Sequence, residues 1–367
     1  MVREEGMTKV VVAMSGGVDS SVSAALLVEQ GYEVEGIMMR LWSEPGDIEM
    51  GAKRDNRCCT RDQMMDAHFV ARHLGIPFQM IDARDVFKSQ VVDRFIAGYA
   101  QGVTPNPCLS CNRHIRFTFL LNAALERGAD FLATGHYARV TQDSAGRYEL
   151  RRGADRHKDQ SYVLSVLTQD QLKHAMFPVG GYTKDEVRAL AADFGLRVAS
   201  KDESQDLCFL ADGDYRRFLR NFGGVEMTPG PIVLQSGEVL GEHTGLPNYT
   251  TGQRKGLGIS YQEPLYVLRK EASTNTLIVG TRAELGKDKL VATGVNWIAG
   301  EAPQDEFRAD IKIRYKARPA AGCVQSAGTD RASVQLDEPL PDITPGQSAV
   351  FYEDDRVIGG GVIAQVN

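Results

Sequence analysis

The sequence predicts a doubly wound, mostly parallel α/β sheet followed by a small central domain and a C-terminal β-barrel-like domain. Three observations carry this. In the first half, short apolar β-type runs alternate with helical patterns, the signature of stacked βα units. A turn with two glycines, Ser15-Gly16-Gly17-Val18-Asp19-Ser20, joins the first such run to the first helix. Past residue 223 the texture changes to brief β-rich runs punctuated by turn residues, as small β modules or barrels require. At 367 residues the chain exceeds one ordinary hydrophobic core, and we expect three domains, residues 1–211, 212–285 and 286–367.

The first strand is expected from Lys9 to Met14 and the first helix from Asp19 to Gln30. In that helix Val22, Ala25 and Leu26 recur at i, i+3 and i+4, and Gly31 closes it. Further strands are expected from Glu33 to Trp42, Pro77 to Ala83 and Asp130 to Thr134, with helices around Asp62 to Leu74, Val86 to Tyr99 and Arg113 to Arg127. A helix from Thr183 to Phe194 opens on an N-cap threonine with Glu186 three residues on, a capping box. After a short helix from Tyr215 to Phe222, the stretch from Gly223 to Gly230 is rich in glycine and proline and marks a boundary. Beyond it, Ile311 to Tyr315, Ser333 to Leu336 and Ala349 to Tyr352 read as strands.

Forty-two basic residues stand against 48 acidic ones, a net charge of -6. Such a balance argues against a protein that coats nucleic acid through bulk electrostatics, so any RNA contact must come from local patches. The first nine residues carry charges of both signs without an apolar core, and no apolar run reaches the length of a membrane span. The expectation is a cytoplasmic protein with no membrane association, whose six cysteines are thiols, metal ligands or redox groups rather than structural staples.

The Ser15–Ser20 turn lies where open α/β sheets place their ligands. Two glycines let the backbone approach a phosphate, the next helix offers unpaired N–H groups at its positive end, and serine hydroxyls add donors. No G-x-x-x-x-G-K-[ST] pattern occurs, so the usual loop that activates a γ-phosphate is missing. The S-G-G-x-D-S form resembles the pyrophosphate loop (PP-loop) of Rossmann-like ATP pyrophosphatases, which release pyrophosphate and leave AMP on the substrate. That resemblance implies ATP as substrate and Asp19 as a group holding Mg²⁺.

Thr104-Pro105-Asn106-Pro107-Cys108-Leu109-Ser110-Cys111-Asn112 is a two-proline loop ending in C-x-x-C before a helix that Asn112 is placed to cap. A helix N-terminus lowers a thiol's pKa from its ordinary ~8.5 toward the reactive range, so Cys111 is a candidate nucleophile or ligand. Cys208, in Ser204-Gln205-Asp206-Leu207-Cys208-Phe209, stands just before the domain boundary, where the chain can fold back over the mouth of the sheet.

These segments, with Thr134-Gly135-His136-Tyr137, Lys158-Asp159-Gln160-Ser161-Tyr162, Gly252-Gln253-Arg254-Lys255-Gly256-Leu257-Gly258 and Thr344-Pro345-Gly346-Gln347-Ser348, resemble the tRNA-specific 2-thiouridylase family nearly end to end and in its order. The resemblance implies a tRNA sulfurtransferase that adenylates the C2 oxygen of a wobble uridine and replaces it by sulfur, giving 2-thiouridine, AMP and pyrophosphate. It implies ATP contacts at Ala13, Met14, Ser15, Gly16, Gly17, Val18, Asp19, Ser20, Met39 and Gly135. It implies that Asn106, Pro107 and Cys108 face the target base, and that His136, Lys158, Asp159, Gln160, Arg314, Tyr315 and Gln347 touch the tRNA anticodon loop. Cys111 and Cys208 match the catalytic pair, with Cys208 carrying a persulfide supplied by a sulfur-donor or sulfur-carrier protein.

One departure matters. Many members have D-x-x-C where this chain has Cys108 and Cys111, so base-like chemistry by that acid is absent. Three thiols, Cys108, Cys111 and Cys208, also form a candidate ligand set for a [4Fe-4S] cluster with one iron open to hydrosulfide. Both sulfur routes stay open at this stage. Basic pairs at Arg113 and Arg116, Arg151 and Arg152, Arg254 and Lys255, and the run from Arg314 to Arg318 are candidate grips on the RNA backbone. Tyr315 adds a stacking ring to the last of these. Cys58 and Cys59 read as unused thiols, and Cys323 as a core residue.

Two rivals remain. One is another ATP pyrophosphatase of this loop class, an amidating enzyme or a tRNA lysine ligase, which leaves the cysteines idle. The other is an RNA-binding protein in which Cys58, Cys59, Cys108 and Cys111 hold structural zinc, for which an adjacent cysteine pair is a poor spacing.

Overall fold

Val10, Val11 and Val12 are fully buried on strand β1 (Lys9–Ala13), as a central parallel strand covered on both faces demands. The computed structural model describes residues 7–44, 60–201, 207–210 and 212–366; Cys58 and Cys59 lie outside them. The other strands of the first domain are β2 (Glu33–Arg40), β3 (Phe78–Asp82), β4 (Phe131–Ala133), β5 (Ala138–Gln142), β6 (Tyr148–Arg152) and β7 (Ala175–Met176). Five of these make a parallel sheet in the order β3-β2-β1-β4-β7. Chain order reverses between β1 and β4, and that switch opens a crevice at the carboxyl ends of the strands.

Helix α1 (Val18–Glu29) packs Val22, Ala25 and Leu26 into the core beside β1. It ends where Gly31 adopts φ +83°, a conformation that costs glycine little. Helix α2 (Arg61–His73) begins with a capping box between Thr60 and Gln63. Helix α3 spans residues 84–100 and α4 spans residues 107–126. Helix α5 (Lys184–Asp193) opens on the expected Thr183–Glu186 capping box, and α6 (Tyr215–Phe222) is capped by Asp214.

Helix α4 corrects the expected boundary by six residues. It starts at Pro107, with Asn106 rather than Asn112 as its cap: the Asn106 side chain accepts from the Cys108 N–H at 3.1 Å. Proline at the first helical position has a suitable φ and no N–H to leave unpaired. Asn112 lies inside the helix, where its amide donates to Val163 O at 3.0 Å. Residues Cys111–Leu120 wind as a π-helix, a widening common at functional sites.

The central module pairs β8 (Gly230–Leu234), β9 (Val239–His243), β10 (Tyr266–Glu271) and β11 (Thr276–Gly280) in the order β10-β11-β8-β9. The last part contains β12 (Lys287–Trp297), β13 (Glu306–Lys312), β14 (Ala320–Ser326), β15 (Arg331–Leu340), β16 (Ser348–Glu353) and β17 (Arg356–Val366). Their sheet closes because β12 pairs with both β15 and β17, which removes the exposed edges an open sheet would have. The hairpin β5–β6, which periodicity did not reveal, leaves the first domain and joins this sheet through Arg151 and Arg356.

Two local expectations are corrected here. Strand β13 ends at Lys312, so Arg314 and Tyr315 occupy the following turn. Cys323 is half-exposed on β14 opposite Arg308 instead of sitting in the core.

Candidate functional site

The turn after β1 is held open by its own hydroxyls. Ser20 Oγ accepts the Ser15 N–H at 3.2 Å and donates to Gly17 O at 3.3 Å, while Ser21 Oγ donates to Gly17 O at 2.8 Å. No side chain caps the N-terminus of α1, whose N-cap is Gly17. The first-turn N–H groups are thereby left for an anion. Ser15 is exposed and Ala13, Gly17 and Asp19 are half-exposed, with Met14, Gly16, Val18 and Ser20 buried between them. A Cβ on Gly135 would stand 2.7 Å from Ser20 N, so the strand end bearing Gly135 lies directly against the turn.

Asp19 is the charged centre of this turn. Its Oδ1 accepts Tyr137 OH at 2.7 Å and Lys184 Nζ at 2.6 Å. Neither bond uses Oδ2. Lys184 is buried in the first turn of α5, where the helix dipole disfavours a cation; its place there is explained by the ion pair with Asp19. Sequence reasoning missed Lys184, and that dipole mismatch was the one available signal. It also missed Lys201, whose Nζ donates to Gly16 O at 3.1 Å and Asp66 at 2.7 Å.

The thiols converge. Cys111 is buried and Cys208 half-buried in one apolar cluster with Phe87, Phe95, Phe209 and Met39. Cys108 is exposed nearby, close enough that Cys208 and Cys111 both bear on its protonation. The expected lowering by a helix N-terminus is corrected: burial pushes the Cys111 thiol up to about 11, against the opposing pull of Arg116. Cys111 lies one turn inside the helix, so the terminal N–H groups do not face it. Surrounding protein and the other two thiols push Cys108 up as well, although one side of it stays open to solvent.

A thiol near 11 is a thiolate in only about one molecule in several thousand at pH 7.5. Single-turnover thiolation limited by attack from Cys111 is therefore expected to rise about tenfold per pH unit from pH 7 to 9, measured by rapid quench with ATP saturating. A plateau below pH 8 would show that this thiol does not limit the rate.

The expected RNA-facing residues divide into open and buried ones. Asn106, Lys158, Gln160, Arg314, Tyr315 and Gln347 are half-exposed, whereas Pro107, His136 and Asp159 are buried. His136 Nδ1 bonds Thr134 Oγ1 at 2.7 Å, and burial together with Arg116 holds its pKa well below the ordinary value. Asp159 accepts from Gly153 N, Ser161 N and Ser161 Oγ, and so shapes the Lys158–Gln160 loop. Gln160 Oε1 accepts Tyr137 N at 3.0 Å. Arg314 bonds Thr344 and pairs with Asp342 at 3.2 Å. Gln347 Nε2 donates to Thr104 O at 2.8 Å, while Thr104 N donates to Pro345 O at 3.0 Å. These last contacts pin the thiol loop to the barrel.

Among the described residues no three His, Cys, Asp or Glu side chains stand close enough together to hold a metal ion. The three thiols as placed do not make the ligand set of a [4Fe-4S] cluster. Asp19 does fit Mg²⁺, a hard cation usually bound by one or two carboxylates plus substrate phosphates, because its bonds to Tyr137 and Lys184 both use Oδ1 and leave Oδ2 outside them.

Comparison with known proteins adds the following. Residues 8–212 match a family model described as tRNA methyl transferase HUP domain, 216–281 a tRNA methyl transferase PRC-barrel domain, and 287–363 an aminomethyltransferase beta-barrel domain. Curated relatives named tRNA-specific 2-thiouridylase MnmA are similar over nearly the whole length. That of Geotalea uraniireducens is 48% identical, covering 99% of this chain and 96% of its own. Those of Carboxydothermus hydrogenoformans and Geobacter metallireducens are 47% and 48% identical, each covering 98% of both chains. No described helix is long and apolar enough to cross a membrane.

Proposed function

The chain belongs to the tRNA-specific 2-thiouridylase family, and from that premise we propose how its own residues carry the reaction. It is an ATP-using tRNA sulfurtransferase, and its product is 2-thiouridine at the wobble position of tRNA. The observation that carries the residue assignment is the meeting of Cys111 and Cys208 in one cluster with Met39, on the strand that flanks β1 and its nucleotide loop.

The C2 carbonyl of uridine is urea-like, and its oxygen leaves only once it is esterified. The nucleotide turn takes the phosphates of ATP on the α1 N-terminus, and the Asp19 carboxylate would hold Mg²⁺ there, which would offset phosphate charge as pyrophosphate leaves. The uridine O2 attacks the α-phosphorus; the bond to pyrophosphate breaks and an adenylated base results. The terminal sulfur of a Cys208 persulfide then attacks C2. Cys111 thiolate attacks Cys208 Sγ, forming the Cys111–Cys208 disulfide, and the electron pair of the broken S–S bond stays on the sulfur bound to C2. AMP leaves with the former O2. Sulfane sulfur is reduced and two thiols are oxidised, so each turnover consumes two reducing thiols, which reopen the disulfide, and a new sulfane sulfur from a carrier protein.

Single-stranded anticodon loops can splay a base into such a pocket at lower cost than a duplex. Asn106 and Cys108 lie beside the thiols to receive it, and Lys158, Gln160, Arg314 and Tyr315 offer polar and stacking contacts to the loop. A cytoplasmic location follows from the substrate.

The test is reconstitution of the full chain with unmodified tRNA, ATP-Mg²⁺ and a persulfide donor, followed by nucleoside mass spectrometry. 2-Thiouridine at the wobble position, with one AMP released per sulfur, is expected. Lysine or ammonia incorporation, or a methylated nucleoside in its place, would overturn the reading.

A further inference from the structure

Beside the junction of hairpin β5–β6 with the barrel sheet, two half-buried cations, Arg152 and Lys312, stand without an ion-pair partner among the described residues. Arg152, the last residue of β6, lays its guanidinium 3.9 Å above the centre of the Tyr352 ring. Its Nε and Nη2 are buried and have no hydrogen-bond partner. Lys312, the last residue of β13, holds Nζ 5.9 Å from the Tyr162 ring centre and 5.6 Å from that of Tyr315. Among the described residues neither cation forms an ion pair. Asp159 is the carboxylate that bears on Lys312, but its bonds go to the loop around it, to Gly153, Ser161 N and Ser161 Oγ.

Buried donors are almost always satisfied, and an orphaned charged group is costly enough to need an explanation. Burial lowers the Lys312 pKa below the lysine range, with Asp159 opposing and Arg152 adding to the fall. Two cations against one carboxylate leave a single positive charge. A singly charged anion balances it. Arginine's planar fork and the lysine ammonium are the usual donors to phosphate oxygens; Tyr162 and Tyr352 are fully buried beneath them, and the half-exposed Tyr315 is the ring on which a base can stack.

We propose that Arg152 and Lys312 form a recess for one backbone phosphodiester of the bound tRNA. This rests on the tRNA reading above, adds Lys312 to the contacts, and gives Arg152, expected from the sequence only as half of a basic pair, a defined partner and ligand. Phosphodiester matches the single charge better than the dianion of free phosphate, and the half-exposed Lys158 and Gln160 flank Asp159 in sequence while Tyr315 stands against Lys312.

The experiment measures binding, not thiolation. Full-length wild type, Lys312→Gln, Lys312→Arg and Arg152→Gln are titrated with unmodified tRNA by filter binding over a range of salt concentrations, with ATP affinity and melting temperature as controls. For Lys312→Gln and Arg152→Gln, tRNA Kd is expected to rise about tenfold and the salt slope to fall by about one, with ATP affinity unchanged; Lys312→Arg stays close to wild type. If Arg152→Gln melts early, Lys312→Gln alone carries the test, since Lys312 is half-exposed at a strand end. Wild-type tRNA affinity and salt slope in a folded Lys312→Gln chain would overturn the recess. So would tight binding of inorganic phosphate alone that Lys312→Gln abolishes, which marks a free-anion site. A wild-type chain that binds tRNA but makes no 2-thiouridine defeats the sulfurtransferase reading while leaving the recess standing.

Discussion

Replacing Cys208 by Ser is expected to lower 2-thiouridine formation by at least about a thousandfold, the scale on which enzymes lose rate when an essential nucleophile goes. A hydroxyl cannot accept or pass on sulfane sulfur, and no described neighbour substitutes for it: Cys108 lies in the same group but is separately exposed. The diagnostic feature is what survives. The nucleotide turn, with Ser15, Ser20 and Asp19, shares no hydrogen bond with Cys208 among those described, so ATP affinity and ATP–pyrophosphate exchange in the presence of tRNA should continue. Cys111→Ser is expected to differ in kind: the persulfide forms on Cys208 and accumulates, visible as a 32-dalton mass increase (about one sulfur). Loss of pyrophosphate exchange in Cys208→Ser, or normal thiolation, would remove the assigned roles.

The second large effect concerns Gly16. Its φ is +70°, and a Cβ added there would come within 2.1 Å of Gln63 O at the start of α2. Left-handed backbone costs a substituted residue about 1–3 kcal/mol, and the contact is with backbone that cannot rotate away. Gly16→Ala should therefore displace either the turn or the start of α2, raising KM for ATP by about two orders of magnitude and lowering the melting temperature by several degrees (roughly). Gly17→Ala is the control for the fold alone: an added Cβ meets only Ser15 Oγ at 3.5 Å, so its melting temperature should stay at the wild-type value whatever its effect on phosphate binding. Equal ATP affinity in Gly16→Ala and wild type would show that this turn does not hold the phosphates.

The parallel sheet was legible because its strands are apolar and its helices carry ordinary caps, as with Thr183 and Glu186. Hairpin β5–β6 escaped because its residues, Arg139, Gln142, Arg151 and Arg152 among them, alternate too weakly between apolar and polar. The start of α4 was misplaced because two asparagines compete as caps and only packing decides that Asn112 turns inward to Val163. Within the site, the glycine turn and the cysteines are local motifs and could be read directly. Lys184 and Tyr137 could not, since each reaches Asp19 across more than a hundred residues of chain. The raised Cys111 thiol likewise depends on what covers it, which spacing does not encode.

Thr104, at the head of the thiol loop, is clasped by Pro345 and Gln347, and Gly346 at φ +91° lets the two backbones touch where a Cβ would meet Thr104 N at 2.8 Å. Those partners stand near the end of the sequence, whereas the nucleotide turn stands near its beginning. On a ribosome the residues of the nucleotide turn therefore emerge well before Pro345 and Gln347, and the sulfur-handling loop gains its clasp only after they have left the exit tunnel.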